Sequence, residues 1–173
     1  MTADRRRTLL WRIRAILVFF ILALAASGLT AIPVEWELGV IARVLGLPEG
    51  AEPAEYTGLS HWIAKVRQGV VETNARYPFI AYGFDWLAFA HVMLAVLFVG
   101  ALIDPVRNRW LLTFGLIACA AVIPWSYAFG VVRGIPFYWR LIDCSFGVFG
   151  AIPLWLARRW TVELTVPGEQ SHS

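Results

Sequence analysis

The sequence predicts an all-α integral membrane protein: a four-helix bundle with two short amphipathic extracytoplasmic helices between the first and second crossings. Three observations predict this class. The 173 residues are 59% hydrophobic and only 16% charged, the apolar residues fall into four long uncharged runs, and Trp, Tyr and Phe crowd toward the ends of those runs. This composition excludes a water-soluble enzyme, a disordered chain and a disulfide scaffold.

The first crossing is predicted at about residues 15–33. Twenty residues without a formal charge separate Arg14 from Glu35. A helix that rises about 1.5 Å per residue needs this length to cross a hydrocarbon core of about 30 Å. The basic stretch before it is also typical of a secretory signal, but the run exceeds the roughly 7–15 apolar residues of such a signal. We therefore expect an uncleaved anchor.

The other crossings are predicted at about residues 82–103, 110–131 and 138–157. Uncharged runs of eighteen and twenty-three residues define the second and the third. Only fourteen uncharged residues precede Arg158 in the fourth, which amounts to about 21 Å of helix. The fourth helix must therefore begin near Tyr138, which draws Asp143 below the lipid headgroups.

The distribution of basic residues predicts the orientation. Nine arginines flank the crossings on the side of the two termini, whereas six basic residues are spread over the longer opposite side. The positive-inside rule then predicts that both termini are cytoplasmic, including a loosely held tail at residues 160–173. The net charge of +3 forms no basic stripe, so a nucleic-acid partner is not expected.

The segment at residues 34–80 is predicted to lie outside the membrane and to contain the two amphipathic helices. Their apolar stripes either lie on the membrane surface or cover the outer mouth of the bundle. The apolar positions recur at helical spacing: Trp36, Val40, Val44 and Leu47 in the first helix, and Leu59, Trp62, Ile63, Val66, Val70 and Thr73 in the second. His61 falls beside the second stripe and is expected to be a solvated or capping residue.

Polar residues of the crossings are predicted to form a layer at one depth. Counted from the cytoplasmic charges, His91 lies about 20 Å and Asp143 about 22 Å into the bilayer. Ionisable groups at such depth commonly mark a site. Gly147 follows Asp143 on the same helix face and should let a neighbouring helix approach, so that Asp143 points into the bundle. The ligand-binding candidates are Asp143, Arg140, His91, Asp85, Tyr127 and Ser126.

Structural alternatives stand beside these candidates. Arg140 and Asp143 are three residues apart and are able to form an ion pair that fixes the end of the helix. Asp85 lies where a carboxylate caps the second crossing. His91 is also interpretable as a hydrogen-bonded packing histidine.

Three stretches carry a resemblance to known proteins: AIPVEWEL (31–38), YGFDWLAFAH (82–91) and RGIPFYWRLIDCSFG (133–147). They resemble segments of uncharacterised bacterial four-helix membrane proteins, a group without a known activity. This resemblance implies the architecture and a multi-pass location in the bacterial inner (plasma) membrane, and it implies no catalytic residue. The topology is also similar to that of the EXPERA families of sterol isomerases and sterol-binding receptors, an analogy for what such a bundle is able to do.

Two classes of function follow. In the first, the polar layer lines a pocket for a small amphiphile such as a lipid, quinone or isoprenoid, with a catalytic version in which His91 and Asp143 share a proton transfer. In the second, the chain is an interaction or assembly subunit that docks a membrane protein partner or another copy of itself. That docking would use close-approach positions at Gly83, Ala88, Ala95, Gly115 and Cys119.

No cofactor or metal site is predicted. Bis-histidine haem ligation needs a second imidazole that faces His91, and the only nearby choice in the sequence, His61, lies outside the predicted membrane segments. Cys119 and Cys144 are interpreted as packing residues of the apolar runs. Without a catalytic motif the sequence favours binding or assembly over an enzyme.

Overall fold

A computed structural model describes residues 1–165, and all the regular secondary structure in this range is helical. Its α-helices are α1 (Ala3–Leu29), α2 (Val34–Val44), α3 (Gly58–Arg76), α4 (Tyr82–Ile103), α5 (Arg109–Val132) and α6 (Phe137–Thr165). Two short 3-10 turns precede α3 and α4, at Pro53–Glu55 and Pro78–Ile80. The predicted all-α class is therefore confirmed.

Four of the helices, α1, α4, α5 and α6, are long and apolar enough to cross a membrane. Even the shortest, α4 with 22 residues, measures about 33 Å at the rise of an α-helix. Large apolar side chains remain on the outside of these helices, as shown by Phe149 at 70% and Trp125 at 69% exposure. An exterior of this kind suits lipid better than water. The four helices indicate a multi-pass membrane protein.

The first and last helices extend further than the uncharged runs. Helix α1 begins at Ala3 and includes the whole basic stretch, because arginine is a good helix former. Helix α6 begins at Phe137, next to the predicted start at Tyr138, and ends only at Thr165. The predicted loose tail is therefore wrong for residues 160–165, where the buried Thr161 hydroxyl donates to the Ala157 carbonyl at 2.8 Å. The rest of that tail lies outside the described residues.

The chain forms two compact units. Among the described residues, the first comprises Met1–Ala23 and 95–165, and the second comprises Leu24–Leu94. Helices α1 and α4 contribute one part to each unit. Each unit has its own set of contacts.

The first unit has a core to which α1, α4, α5 and α6 all contribute. Its buried residues include Leu9, Ile13, Leu17, Ala95, Phe98, Ala101, Leu112, Leu154, Ala157 and Thr161. Polar contacts join the same helices: Arg14 Nη2 donates to the Ile103 carbonyl at 3.4 Å, and Arg158 Nε donates to Thr113 Oγ1 at 3.1 Å. These contacts link α1 to the end of α4 and α6 to the start of α5.

Glycines bring α5 and α6 into close contact. A Cβ added to Gly147 would stand 2.5 Å from the carbonyl oxygen of Cys119, and one added to Gly115 would stand 2.7 Å from Leu154 Cδ1. At Gly147 the obstacle is the backbone of α5, so a larger side chain does not fit, whereas at Gly115 the Leu154 side chain would have to shift. The close approach predicted for the helix face at Gly147 is confirmed.

In the second unit α2 packs on α3. Leu38 and Ala42 are buried on α2, and Ile63 and Ala64 on α3. Gly46, with φ of 72°, ends α2: the amide of the following residue, Leu47, returns to the Ala42 carbonyl at 2.9 Å. This is the hydrogen-bond pattern of a glycine-terminated helix.

The buried face of α2 differs from the predicted apolar stripe. Trp36 is 66% and Val44 81% exposed, whereas Leu38 and Ala42 face inward. Of the predicted stripe, Trp36 and Val44 therefore point outward, whereas Leu47, just beyond α2, is buried. The placement of that stripe on the membrane surface stays a prediction.

Candidate ligand-binding site

A cleft of about 590 Å³ runs along α5 in the first unit and reaches Asp143 on α6. Its polar lining groups are Ser126, Arg133 and Asp143. The remaining lining residues are Ala118, Ala121, Val122, Trp125, Phe129, Gly130 and Ile135. An apolar cleft with a few convergent polar groups is the usual character of a small-molecule site.

The turn between α5 and α6 positions the polar end of this cleft. Gly134, with φ of 67°, allows the amide of Ile135 to donate to the Gly130 carbonyl at 2.8 Å. The bond ends α5 with the same hydrogen-bond pattern that ends α2 at Gly46. The turn then directs α6 back along α5. Across the two helices, Ser126 Oγ donates to the backbone carbonyl of Arg140 at 3.4 Å.

Arg140 lies inside the helix pair. Its aliphatic stem packs directly on Gly130, a position that has no room for a Cβ. Its guanidinium carbon lies 5.5 Å from the ring centres of both Tyr127 and Phe137, which is the range of cation–π attraction. Two of its nitrogens, Nε and Nη1, are buried and have no hydrogen-bond partner among residues 1–165. Of the predicted candidates, Arg140 and Tyr127 therefore contact each other and do not line the cleft.

The predicted ion pair between Arg140 and Asp143 does not form. Within residues 1–165 the ion pairs closer than 4.0 Å join Glu163 to Arg5 and to Arg159. The rings of Tyr127 and Phe137 hold the guanidinium instead. In the described part of the chain, the carboxylate of Asp143 has neither an ion pair nor a side-chain hydrogen bond and faces the cleft.

His91 belongs to the second unit. Its Nδ1 lies 2.8 Å from the Leu87 carbonyl oxygen, and since a carbonyl only accepts, Nδ1 carries the hydrogen of this bond. The Cβ of His91 packs on Gly28 of α1. These contacts are those of the packing histidine that the sequence left open. A shared site of His91 with Asp143 stays a prediction.

Asp85 also lies in the second unit, in the first turn of α4. Within residues 1–165 its carboxylate makes no hydrogen bond and no ion pair, so it does not cap the helix through its side chain. It lines a second cleft of about 460 Å³ together with Glu35, Arg67 and Asn74. Asp85 is not among the residues that line the cleft at Asp143.

Sequence reasoning missed four polar residues of the two clefts: Arg133, Glu35, Arg67 and Asn74. The sequence contained a signal for Arg133, because this residue ends the uncharged run of α5. A charge at the end of a crossing lies at the level of the lipid headgroups. No sequence signal indicated Glu35 and Asn74, because 39 positions separate them in the chain. Their side chains are joined by a bond of 2.9 Å from Asn74 Nδ2 to Glu35 Oε2. Only the packing of α2 on α3 joins them.

His61 has a structural contact. Its Nδ1 lies 2.8 Å from the Pro53 carbonyl oxygen, which ties the 3-10 turn at Pro53–Glu55 to α3. It is a part-buried contact between two segments and caps no helix end, so it differs from the solvated or capping role expected from the sequence. A bond of this kind stabilises the connection between α2 and α3.

The proposed docking positions are largely occupied by this chain. Ala88, Ala95 and Gly115 are buried, and Cys119 packs on Gly147. A Cβ added to Gly83, by contrast, would meet no atom within 4 Å. Four of the five small residues are therefore explained by packing within the chain.

No known protein family, curated protein or solved structure matches this chain. The resemblances drawn from the sequence therefore carry no assignment of function. The chemistry of the clefts has to be inferred from their own residues.

Proposed function

We propose that this chain binds a small amphiphile, a lipid, quinone or isoprenoid, in the cleft along α5. One observation carries the proposal. Asp143 presents a carboxylate, without an ion pair among residues 1–165, to a cleft that is otherwise largely apolar. An ionisable side chain in a membrane-spanning helix is costly unless it meets water, protein or a ligand.

The cleft has the dimensions and lining of a site for an elongated ligand. Its volume of about 590 Å³ lies within the roughly 300–1,000 Å³ of typical ligand pockets. Ala118, Ala121 and Val122 line one stretch, and Trp125 and Phe129 line the next turns of α5. Small residues beside large aromatic ones suit a flexible or flat apolar body.

The polar end offers both kinds of hydrogen-bonding group. The guanidinium of Arg133 only donates and the ionised carboxylate of Asp143 only accepts. Ser126 donates its hydrogen to Arg140 and keeps a lone pair for a donor. A ligand head that carries a hydroxyl beside a carbonyl or phosphate oxygen complements this set. Binding requires no reaction, and we assign no catalytic residue.

The proposed setting is the bacterial inner membrane with both termini cytoplasmic. The excess of arginines on the side of the termini supports this orientation. The start of α6, and with it Asp143, then lies in the outer half of the bilayer, and α2 and α3 lie outside the membrane. The ligand would enter the cleft from the outer leaflet.

Two adjacent alanines provide the test. Ala121 lines the cleft, whereas Ala120 is exposed on another side of α5 and does not line it. We expect Ala121→Phe to fill the cleft and to remove the amphiphile that copurifies from native membranes, and Ala120→Phe to leave it in place. Mass spectrometry of an organic extract measures both, and Asp143→Asn should weaken retention without filling the cleft.

Equal retention by both phenylalanine variants would contradict the proposal. Stoichiometric copurification of another membrane protein, with no retained amphiphile, would favour an assembly subunit instead. Thermal unfolding of each variant in detergent identifies any loss of ligand that is caused by misfolding.

A further inference from the structure

We infer that the second unit binds a zwitterionic group of the phosphoethanolamine type, with a primary ammonium and a phosphate, in the cleft that Asp85 lines. This cleft of about 460 Å³ is formed by the start of α2, the middle of α3 and the start of α4. Its polar lining groups are Glu35, Arg67, Asn74 and Asp85. The inference uses none of the residues of the α5 cleft and does not rest on the function proposed above.

Three charged side chains share this cleft without neutralising one another. Within residues 1–165, Glu35, Arg67 and Asp85 form no ion pair closer than 4.0 Å. Two carboxylates therefore remain for a cation, and one guanidinium remains for an anion. A ligand with separate positive and negative groups satisfies both, which neither a simple cation nor a simple anion does.

One of the carboxylates is held in position for this role. Asn74 Nδ2 on α3 donates to Glu35 Oε2 on α2 at 2.9 Å. The bond fixes the Glu35 side chain and leaves its Oε1 as an acceptor. The Asp85 carboxylate makes no side-chain hydrogen bond in the described chain, so both its oxygens are available. A primary ammonium, which has three donors, matches these acceptors, whereas a quaternary ammonium donates none.

The apolar lining points to a headgroup at the membrane surface. Ile32 follows the end of α1, Trp36 lies in the first turn of α2, and Phe84 lies in the first turn of α4. Helices α1 and α4 are both long and apolar enough to cross a membrane. The cleft thus lies where chain leaves one crossing and enters another, at the level that headgroups occupy. A soluble phosphoethanolamine compound has the same polar chemistry, and the test separates the two sources.

The experiment uses the full chain in nanodiscs that contain phosphatidylethanolamine, phosphatidylcholine and phosphatidylglycerol in equal amounts. Native mass spectrometry measures the lipid retained after release from the disc. We expect phosphatidylethanolamine to be retained over the other two. Glu35→Gln and Asp85→Asn should each lower its retention by about tenfold, the effect of losing one charged hydrogen bond.

Glu49→Gln is the matched control, because Glu49 is exposed and lies outside the described clefts; it should retain as much phosphatidylethanolamine as the parent. Competition by soluble glycerophosphoethanolamine would identify a free zwitterion as the ligand, and its failure to compete would identify the lipid. Either result supports the recognition of the ammonium and phosphate.

Equal retention of phosphatidylethanolamine and phosphatidylcholine would overturn the inference, as would unchanged retention in both carboxylate variants. Unfolding midpoints that match the parent show that these near-isosteric changes leave the fold intact. In an Ala121→Phe background, Glu35→Gln and Asp85→Asn should still lower the retention of phosphatidylethanolamine by about tenfold, so the failure of this inference and that of the α5 cleft are distinguishable.

Discussion

The backbone of Gly28 on α1 lies directly against His91 on α4. A Cβ added to Gly28 would overlap the Cβ of His91 and would stand 3.3 Å from the Ala88 carbonyl oxygen. The absence of a side chain at Gly28 lets the two helices approach closely within the second unit. His91 is therefore held by α1 on one side and by its own hydrogen bond to Leu87.

Substitution of Gly28 should destabilise this contact. We expect Gly28→Ala to lower the free energy of unfolding by about 1–3 kcal/mol, the usual cost of overpacking. Gly83→Ala is the control, since an added Cβ there meets nothing within 4 Å. Unfolding in mixed detergent micelles measures both. Equal stability of the two variants would show that α1 and α4 are not packed at this glycine.

Gly147 and Gly150 on α6 differ in what their added Cβ would meet. A Cβ added to Gly147 would stand 2.5 Å from the Cys119 carbonyl oxygen, and a Cβ added to Gly150 would stand 3.1 Å from the Cys119 Sγ. A side chain is able to shift, whereas the backbone of α5 is not. We expect Gly147→Ala to cost about 1–3 kcal/mol and Gly150→Ala clearly less.

A double-mutant cycle with Cys119→Ala sharpens this comparison. Removal of the sulfur should relieve the cost of Gly150→Ala but not that of Gly147→Ala. The same unfolding measurement gives both coupling energies. Relief at Gly147 as well would mean that the side chain of Cys119, and not its carbonyl, limits the approach of the helices.

The orientation in the membrane is open to direct labelling. In a background with Cys119→Ala and Cys144→Ala, we expect Glu49→Cys to react with an impermeant maleimide in intact cells. Arg7→Cys should react only after the inner membrane is permeabilised, because the arginine-rich side is predicted to be cytoplasmic. Both positions are exposed in the structure. The opposite labelling pattern would invert the proposed topology.

The helical framework was predictable because long uncharged runs have one stable form in a bilayer. The length of the last run placed a helix start near Tyr138, and α6 begins at Phe137. Charges mark where a chain enters lipid, however, and not where a helix ends. Helix α1 therefore extends back to Ala3. Within this extension Leu9 and Ile13, four residues apart, are buried.

The candidate sites were predictable only in part. Depth counting selected Asp143, and the structure places it in a cleft with Ser126. The same counting said nothing about direction around the helix axis, so it did not show that Arg140 turns toward Tyr127 instead of toward Asp143. The contact of Asn74 with Glu35 depends on tertiary packing that periodicity does not encode.

The makeup of the first unit has a consequence for biosynthesis. Arg14 meets its acceptor 89 positions later in the chain, and Arg5 is paired with Glu163 on the last helix. Because a ribosome delivers the chain from its amino end, α1 enters the bilayer long before these neighbours exist. The unit can close only after α6 has been synthesised, so the α1 part of the unit lacks the full set of these contacts until then.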